Sequence, residues 1–159
     1  MNAPPLDAAS HVSARAIHSE HTSPLAGYPS RLFRIHKEFA FSASHRLTGL
    51  PPEHQCSRLH GHNYVVRLAL AGPLVEPGFV VDYGDLQWFG AFVDERLDHR
   101  DLNEQMPGIN PTAENLCEWL LAFTVERMWR DHSHIRWVEI SVSETPKTFA
   151  ACSWMAGEQ

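Results

Sequence analysis

The stretch Cys56-Ser57-Arg58-Leu59-His60-Gly61-His62-Asn63-Tyr64-Val65-Val66-Arg67-Leu68-Ala69-Leu70-Ala71 decides how this chain folds. From His60 onward it reads as a β-strand, in which alternate side chains share a face; His60, His62, Tyr64, Val66, Leu68 and Leu70 have one parity. The face that builds the core is therefore also the face that presents two imidazoles, while Gly61 leaves the opposite side open. A strand to accompany it lies upstream. Phe33, Ile35, Phe39 and Phe41 alternate with Arg34, His36 and Ala40, and the alternation carried forward puts His45 on the apolar face. Three histidines with no local fourth ligand form the pattern of a catalytic zinc that keeps one position open.

Outward from these strands, Leu50 to Gln55 is a loop by its prolines, and Gly72-Pro73 and Pro77-Gly78 bracket a turn. Asp82 is a candidate helix cap, and Leu86, Phe89, Val93 and Leu97 recur at three- and four-residue steps, the stripe of an amphipathic helix ending near Asp98-His99. Asn110-Pro111 reads as an N-cap followed by proline at the first helical position, opening a second helix with Leu116, Trp119, Leu120 and Phe123 on its buried side. Val138, Ile140 and Val142 alternate with Glu139, Ser141 and Ser143, and beyond Pro146 the segment Lys147 to Trp154 returns as a last strand. The order ββααββ predicts an α+β domain over residues 31–159, with an antiparallel four-stranded sheet and both helices on one face. Its two open edges invite pairing between subunits. Residues 1–30, rich in proline, serine and alanine and including His11, His18 and His21, read as a disordered tail.

A formal net charge of −6 argues against nucleic acid or an anionic membrane as partner. Cys56, Cys117 and Cys152 show no pairing pattern, and no secretory signal is read at the amino terminus, so the expected setting is cytoplasmic and reducing.

Several residues admit two readings. A cupin would also show His-x-His, but with a glutamate four residues after the second histidine, where this chain has Val66. Cys56 is a small buried residue or, in its polar loop near Arg46 and Arg58, a reactive thiolate. His99 is a helix-end cation or a proton carrier tuned by Asp98. Glu144, on the apolar parity of its strand, requires a donor pair, from an arginine or from a ligand with two adjacent N–H groups.

Taken together, Ala43-Ser44-His45-Arg46-Leu47, Cys56 to His62, Val81-Asp82-Tyr83, Leu97-Asp98-His99, Asn110 to Asn115 and Ser143-Glu144-Thr145 resemble the 6-pyruvoyltetrahydropterin synthase family. The likeness runs from about Leu32 to Trp154 and is narrower with the 6-carboxytetrahydropterin synthases of queuosine biosynthesis. In those enzymes three residues separate the cysteine from the first histidine, as Ser57-Arg58-Leu59 do here, whereas the animal pyruvoyl enzymes usually have five. The resemblance implies the tunnelling fold, with sheet edges joined between subunits into a barrel and rings stacked as a homohexamer, a dimer of trimers. It implies one zinc per subunit on His45, His60 and His62, a catalytic Cys56 assisted by His99 and Asp98, and a substrate site including Glu144, which anchors the pterin, and Thr112. The implied reaction converts 7,8-dihydroneopterin triphosphate to 6-carboxytetrahydropterin, releasing acetaldehyde and triphosphate at a site between subunits. Arg46, Arg58 and Lys147 are candidates for the triphosphate. The alternatives are a 6-pyruvoyltetrahydropterin synthase and a non-catalytic zinc-binding module.

Overall fold

Alternation makes the first two strands and sets their partnership. In a computed structural model of the chain, which describes residues 31–157, β1 runs Phe33–His45 and β2 runs His60–Gly72. The segment 1–30, with His11, His18 and His21, lies outside the described residues. The two strands pair antiparallel in unbroken register, from Phe33 opposite Gly72 to His45 opposite His60. Burial follows parity: Phe41, Ala43 and His45 on β1 are buried, as are Tyr64, Val66, Leu68 and Leu70 on β2. Strand β4 (Trp137–Thr145) joins the other edge of β2, and β5 (Thr148–Met155) joins β4, both antiparallel.

The sheet has five strands rather than the expected four. Arg100–Asp101 forms a short β3 lying parallel to β1 at Ala43 and Ser44, giving the order β3-β1-β2-β4-β5. A ladder of two residues is made by main-chain groups alone, so no side-chain periodicity announces it. A second departure from alternation is on β4, where Ser141 and Ser143, of the parity opposite to the core valines, are also buried.

The helices cover one face. Asp82 caps a 3-10 turn at Tyr83–Leu86 by accepting the Gly84 N–H at 2.7 Å, and α1 (Gln87–Arg96) continues from it. Leu86, Phe89, Val93 and Leu97 are all fully buried, as their spacing requires; each such side chain removed from water contributes about 1.5–3 kcal/mol. A single turn, α2 (Leu102–Gln105), follows β3 and is capped by Asp101. The long helix α3 (Ala113–Asp131) lies against β4 and β5, while α1 lies against β1.

Two expectations for α3 are corrected. Its cap is Thr112, whose hydroxyl accepts the Asn115 N–H at 3.2 Å, and Pro111 stands outside the helix. Asn110 is not the cap because its side-chain amide clasps the backbone N–H and C=O of Thr48, at 2.9 and 3.1 Å. The buried stripe keeps Leu116 and Leu120 but turns toward Cys117, Leu121, Thr124 and Met128. Trp119 is half-buried and Phe123 is exposed, its ring stacked on Phe92 of α1 at 4.1 Å.

Candidate active site

The three histidines meet where β1 ends and β2 begins. Register sets His45 directly opposite His60, and parity puts His62 on the same face, so their ring centroids lie 4.5 to 5.2 Å apart. One ligand atom from each falls within 4.8 Å of the others. Backbone carbonyls fix two of the tautomers. His45 Nδ1 is 2.8 Å from the Pro111 carbonyl and His60 Nδ1 is 2.7 Å from the Arg58 carbonyl. A carbonyl oxygen only accepts, so each Nδ1 carries a proton, which in a neutral ring leaves a bare Nε2 turned inward. Those two Nε2 atoms are 3.1 Å apart. Two facing lone pairs repel unless a cation lies between them, and tetrahedral zinc with bonds of about 2.0–2.1 Å places its nitrogens about 3.3–3.4 Å apart. The donor set thus fits a zinc-like ion, and the carbonyl contacts are the outer support that metal-binding imidazoles require. On His62, burial is the main influence and pulls the imidazole below its ordinary range, opposed by the charge of Glu144.

The second group is Asp98 with His99. The helix-end pairing is direct: His99 Nδ1 donates to Asp98 Oδ2 at 2.8 Å, which leaves Nε2 as the available nitrogen of an 81% exposed side chain. Asp98 Oδ1 accepts the Ser42 N–H at 2.9 Å, tying the pair to β1. That N–H and the His99 ring hold the Asp98 carboxyl below the usual carboxylate range. His99 itself adopts φ +55°, a left-handed conformation unfavourable for a residue with a Cβ, and its N–H donates to the Ser42 carbonyl at 2.6 Å. The turn aims the imidazole into a hollow of about 490 Å³ lined by His62, Asn63, His99, Arg100, Asp101 and Gly61, among others. A side chain at Gly61 would bring its Cβ within 3.2 Å of the Ala43 carbonyl oxygen, so glycine keeps the two strands close here.

Cys56 stands in the 3-10 turn Gln55–Ser57, half-buried, with its N–H donated to His54 Nδ1 at 3.1 Å. Its carbonyl accepts the Leu47 N–H at 2.7 Å, which draws the loop back to the end of β1. The thiol does not line the hollow that holds His62 and His99. Glu144 sits at the irregularity where β4 and β5 change register between Val142 and Thr145, half-buried, with its charge felt by His62 and Tyr64. Among the described residues no arginine is recorded against it. Thr112 spends its hydroxyl on the α3 cap. Cys117 is buried, which pushes its thiol up to about 12, in keeping with a structural role. Three features escaped sequence reasoning: the Pro111 and Arg58 carbonyls, Arg100 beside His99, and Asn103, whose amide clasps the Arg46 backbone at both N–H and C=O, each 2.9 Å.

The chain is similar to several known proteins. The family model described as 6-pyruvoyl tetrahydropterin synthase matches residues 34–154. The 6-carboxy-5,6,7,8-tetrahydropterin synthase of Synechocystis sp. is 35% identical over 96 residues, covering 55% of this chain and 71% of that protein. The dihydroneopterin monophosphate aldolase of Pyrococcus furiosus is 32% identical over 87 residues, covering 55% of this chain and 70% of that protein. The solved structure of Plasmodium falciparum 6-pyruvoyl tetrahydropterin synthase superimposes with a TM-score of 0.65 at 22% identity, covering 79% of this chain and 99% of its own, which establishes the shared fold.

Proposed function

Because the chain belongs to the 6-pyruvoyl tetrahydropterin synthase family, we propose that it is a zinc-dependent 6-carboxy-5,6,7,8-tetrahydropterin synthase. It acts on 7,8-dihydroneopterin triphosphate, releases acetaldehyde and triphosphate, and serves queuosine biosynthesis in the cytoplasm. The observation that carries the reading is the pair of bare Nε2 atoms on His45 and His60, 3.1 Å apart beside His62, next to a hollow that also receives His99. The three residues between Cys56 and His60, with the named relative in Synechocystis, favour the carboxy product over the pyruvoyl one. No helix among the described residues is long and apolar enough to cross a membrane.

Each residue has a task in this reading. His45, His60 and His62 hold zinc, one ion per subunit, which when bound supplies a Lewis acid and a template for the substrate's side-chain hydroxyls. Cys56, as thiolate, removes the carbon-bound proton beside those hydroxyls. Asp98 fixes the Nδ1 proton of His99, so that Nε2 gives and receives protons during cleavage of the side chain. Glu144 accepts the paired ring and exocyclic N–H groups of the pterin; the absence of a recorded arginine partner among the described residues supports the ligand rather than the protein as its donor. Thr112 borders the substrate through the α3 amino terminus that it caps. The working particle is a homohexamer, a dimer of trimers, with its sites between subunits, so that Cys56 and Glu144 meet one substrate from different chains. The outer strand β5, which exposes Phe149 and Met155, is the natural edge for such pairing.

The test is made on purified protein: metal content, acetaldehyde release from 7,8-dihydroneopterin triphosphate, and chromatography of the pterin product. Bound zinc with acetaldehyde and 6-carboxytetrahydropterin is the expected result. A pyruvoyl product would move the chain to the sister activity, and zinc without turnover would make it a binding module.

A further inference from the structure

Basic side chains are distributed unevenly in their partners. Besides Arg31, which is itself engaged, eleven of the 13 lysines and arginines lie among the described residues. Away from the histidine cluster they are engaged: Arg34 with Glu139, Arg67 with Glu38, Arg127 with Asp131, Arg130 with Glu126, and Arg96, Lys37 and Arg136 with neutral oxygens. Four have no recorded partner for the charged group among the described residues, namely Arg46, Arg58, Arg100 and Lys147, and all four belong to the segments that build the site. Arg46 follows His45, Arg58 gives its carbonyl to His60, Arg100 lines the hollow with His62 and His99, and Lys147 lies in the turn just beyond Glu144. In a chain of net charge −6, surface cations without acidic partners concentrated at one end describe an anion site.

We propose that Arg100 is the principal phosphate-binding residue of this site, supported by Arg46, and that the site selects a polyphosphate ester over a monophosphate. The proposal rests on the pterin reading above and adds the determinant of phosphate number. Arg100 is placed by β3: its parallel bridge to Ala43 holds it beside the strand that carries His45, and it shares the hollow with the reacting imidazole His99. A triphosphate ester carries about four negative charges against about two for a monophosphate, which matches four unpartnered cations better than one or two. Guanidinium, planar and permanently charged, suits two-point contact with phosphate oxygens.

The test compares R100Q, R100K and, as a control at a distant paired arginine, R130Q, all zinc-loaded. With 7,8-dihydroneopterin triphosphate, R100Q is expected to raise KM about tenfold or more while kcat changes by less than about threefold, because charge-assisted bonds of about 1.5–3 kcal/mol are lost from binding. R100K should recover part of the loss, and R130Q should match the wild type. Calorimetric titration with inorganic tripolyphosphate supplies a readout that needs no turnover: binding weakened in R100Q but not in R130Q supports the site, since any extraction of zinc by the polyphosphate is common to all the proteins. Equal tripolyphosphate binding by R100Q and wild type overturns the proposal, as does a lower KM for 7,8-dihydroneopterin monophosphate than for the triphosphate. Failure of the pterin reading is distinguishable, because it appears as absent turnover in the wild type while the tripolyphosphate titration still decides the role of Arg100.

Discussion

Replacing His99 by glycine should make the protein more stable and nearly inactive at once. His99 is the sole non-glycine residue with positive φ among the described residues, at +55°. A residue with a Cβ held there costs of order 1 kcal/mol, and glycine removes that cost. Against this stands the loss of the Nδ1 bond to Asp98, but the His99 side chain is 81% exposed, so its hydrogen bond contributes little beyond what water would provide. The main-chain anchor, His99 N–H to the Ser42 carbonyl, survives the change. Glycine also loosens the unfolded chain, which returns part of the gain. The net expectation for H99G is a gain of about 0.5 kcal/mol in urea unfolding at fixed zinc and protein concentration, whereas H99A, which keeps the strained φ, should fall about 0.5 kcal/mol below H99G. Both should lose on the order of a hundredfold or more in turnover if His99 carries protons. A clear loss of stability in H99G, more than about 1 kcal/mol, would show that the imidazole holds the fold together and that the left-handed turn is not maintained for function.

Chelation should lower the unfolding free energy, and re-addition of zinc should restore it, by a margin near 4 kcal/mol when free metal exceeds its dissociation constant about a thousandfold; a protein with His60 replaced by alanine should lose most of this response in urea unfolding. Tyr64 is buried with no recorded partner for its hydroxyl, so Y64F should be at least as stable as the wild type in denaturant titrations; destabilisation above about 1 kcal/mol would mean that the hydroxyl has a bonded partner. Burial holds the His132 imidazole below its usual 6.5, against the raising influence of Asp85 and Asp131 and with His134 and Arg127 lowering it further. The unfolded chain then takes up a proton before the folded one does, so stability at this residue is lost as pH falls below about 6.5 and is full above it. H132Q should therefore show a shallower fall of the urea midpoint than the wild type between pH 6.5 and the lower folded value, and parallel curves would refute the assignment.

Parity made most of this fold legible. An alternation that runs from Ile35 to His45 and from His60 to Leu70 specifies which face builds the core, and a one-residue slip would turn every one of those side chains to the opposite face. The α1 stripe was legible for the same reason at a period of 3.6. Legibility failed where two chemically adequate solutions competed or where the backbone acted alone. Asn110 and Thr112 are both good caps, and the choice was settled by Thr48, whose exposed backbone recruited the Asn110 amide. On α3, Phe123 reads as core by composition, but a neighbouring half-buried aromatic, Phe92, offers it a stacking partner at the rim of the core. β3 follows from the left-handed turn at His99, a conformation that composition does not encode.

At the site the same division separates ligands from what makes them ligands. The identities of His45, His60 and His62 are visible because side-chain parity is visible, yet a histidine on a core face is more often an ordinary packed residue. What favours the metal reading over that alternative is the orientation of the rings by the Pro111 and Arg58 carbonyls, and every residue in the chain has a carbonyl. Pro111 contributes through its position: buried, placed between Asn110, which binds Thr48, and Thr112, which caps α3, it presents its oxygen to His45 from a backbone fixed on both sides. On the proposed metal reading, the site depends on α3 without taking a ligand from it. T112A, which removes the cap at a cost of about 1 kcal/mol, should loosen the hold on His45 Nδ1 and weaken zinc affinity, whereas replacing Glu126 at the far end of the same helix should not. If zinc titrations of the two variants coincide, the Pro111 carbonyl is a bystander and the His45 orientation is set by strand packing alone.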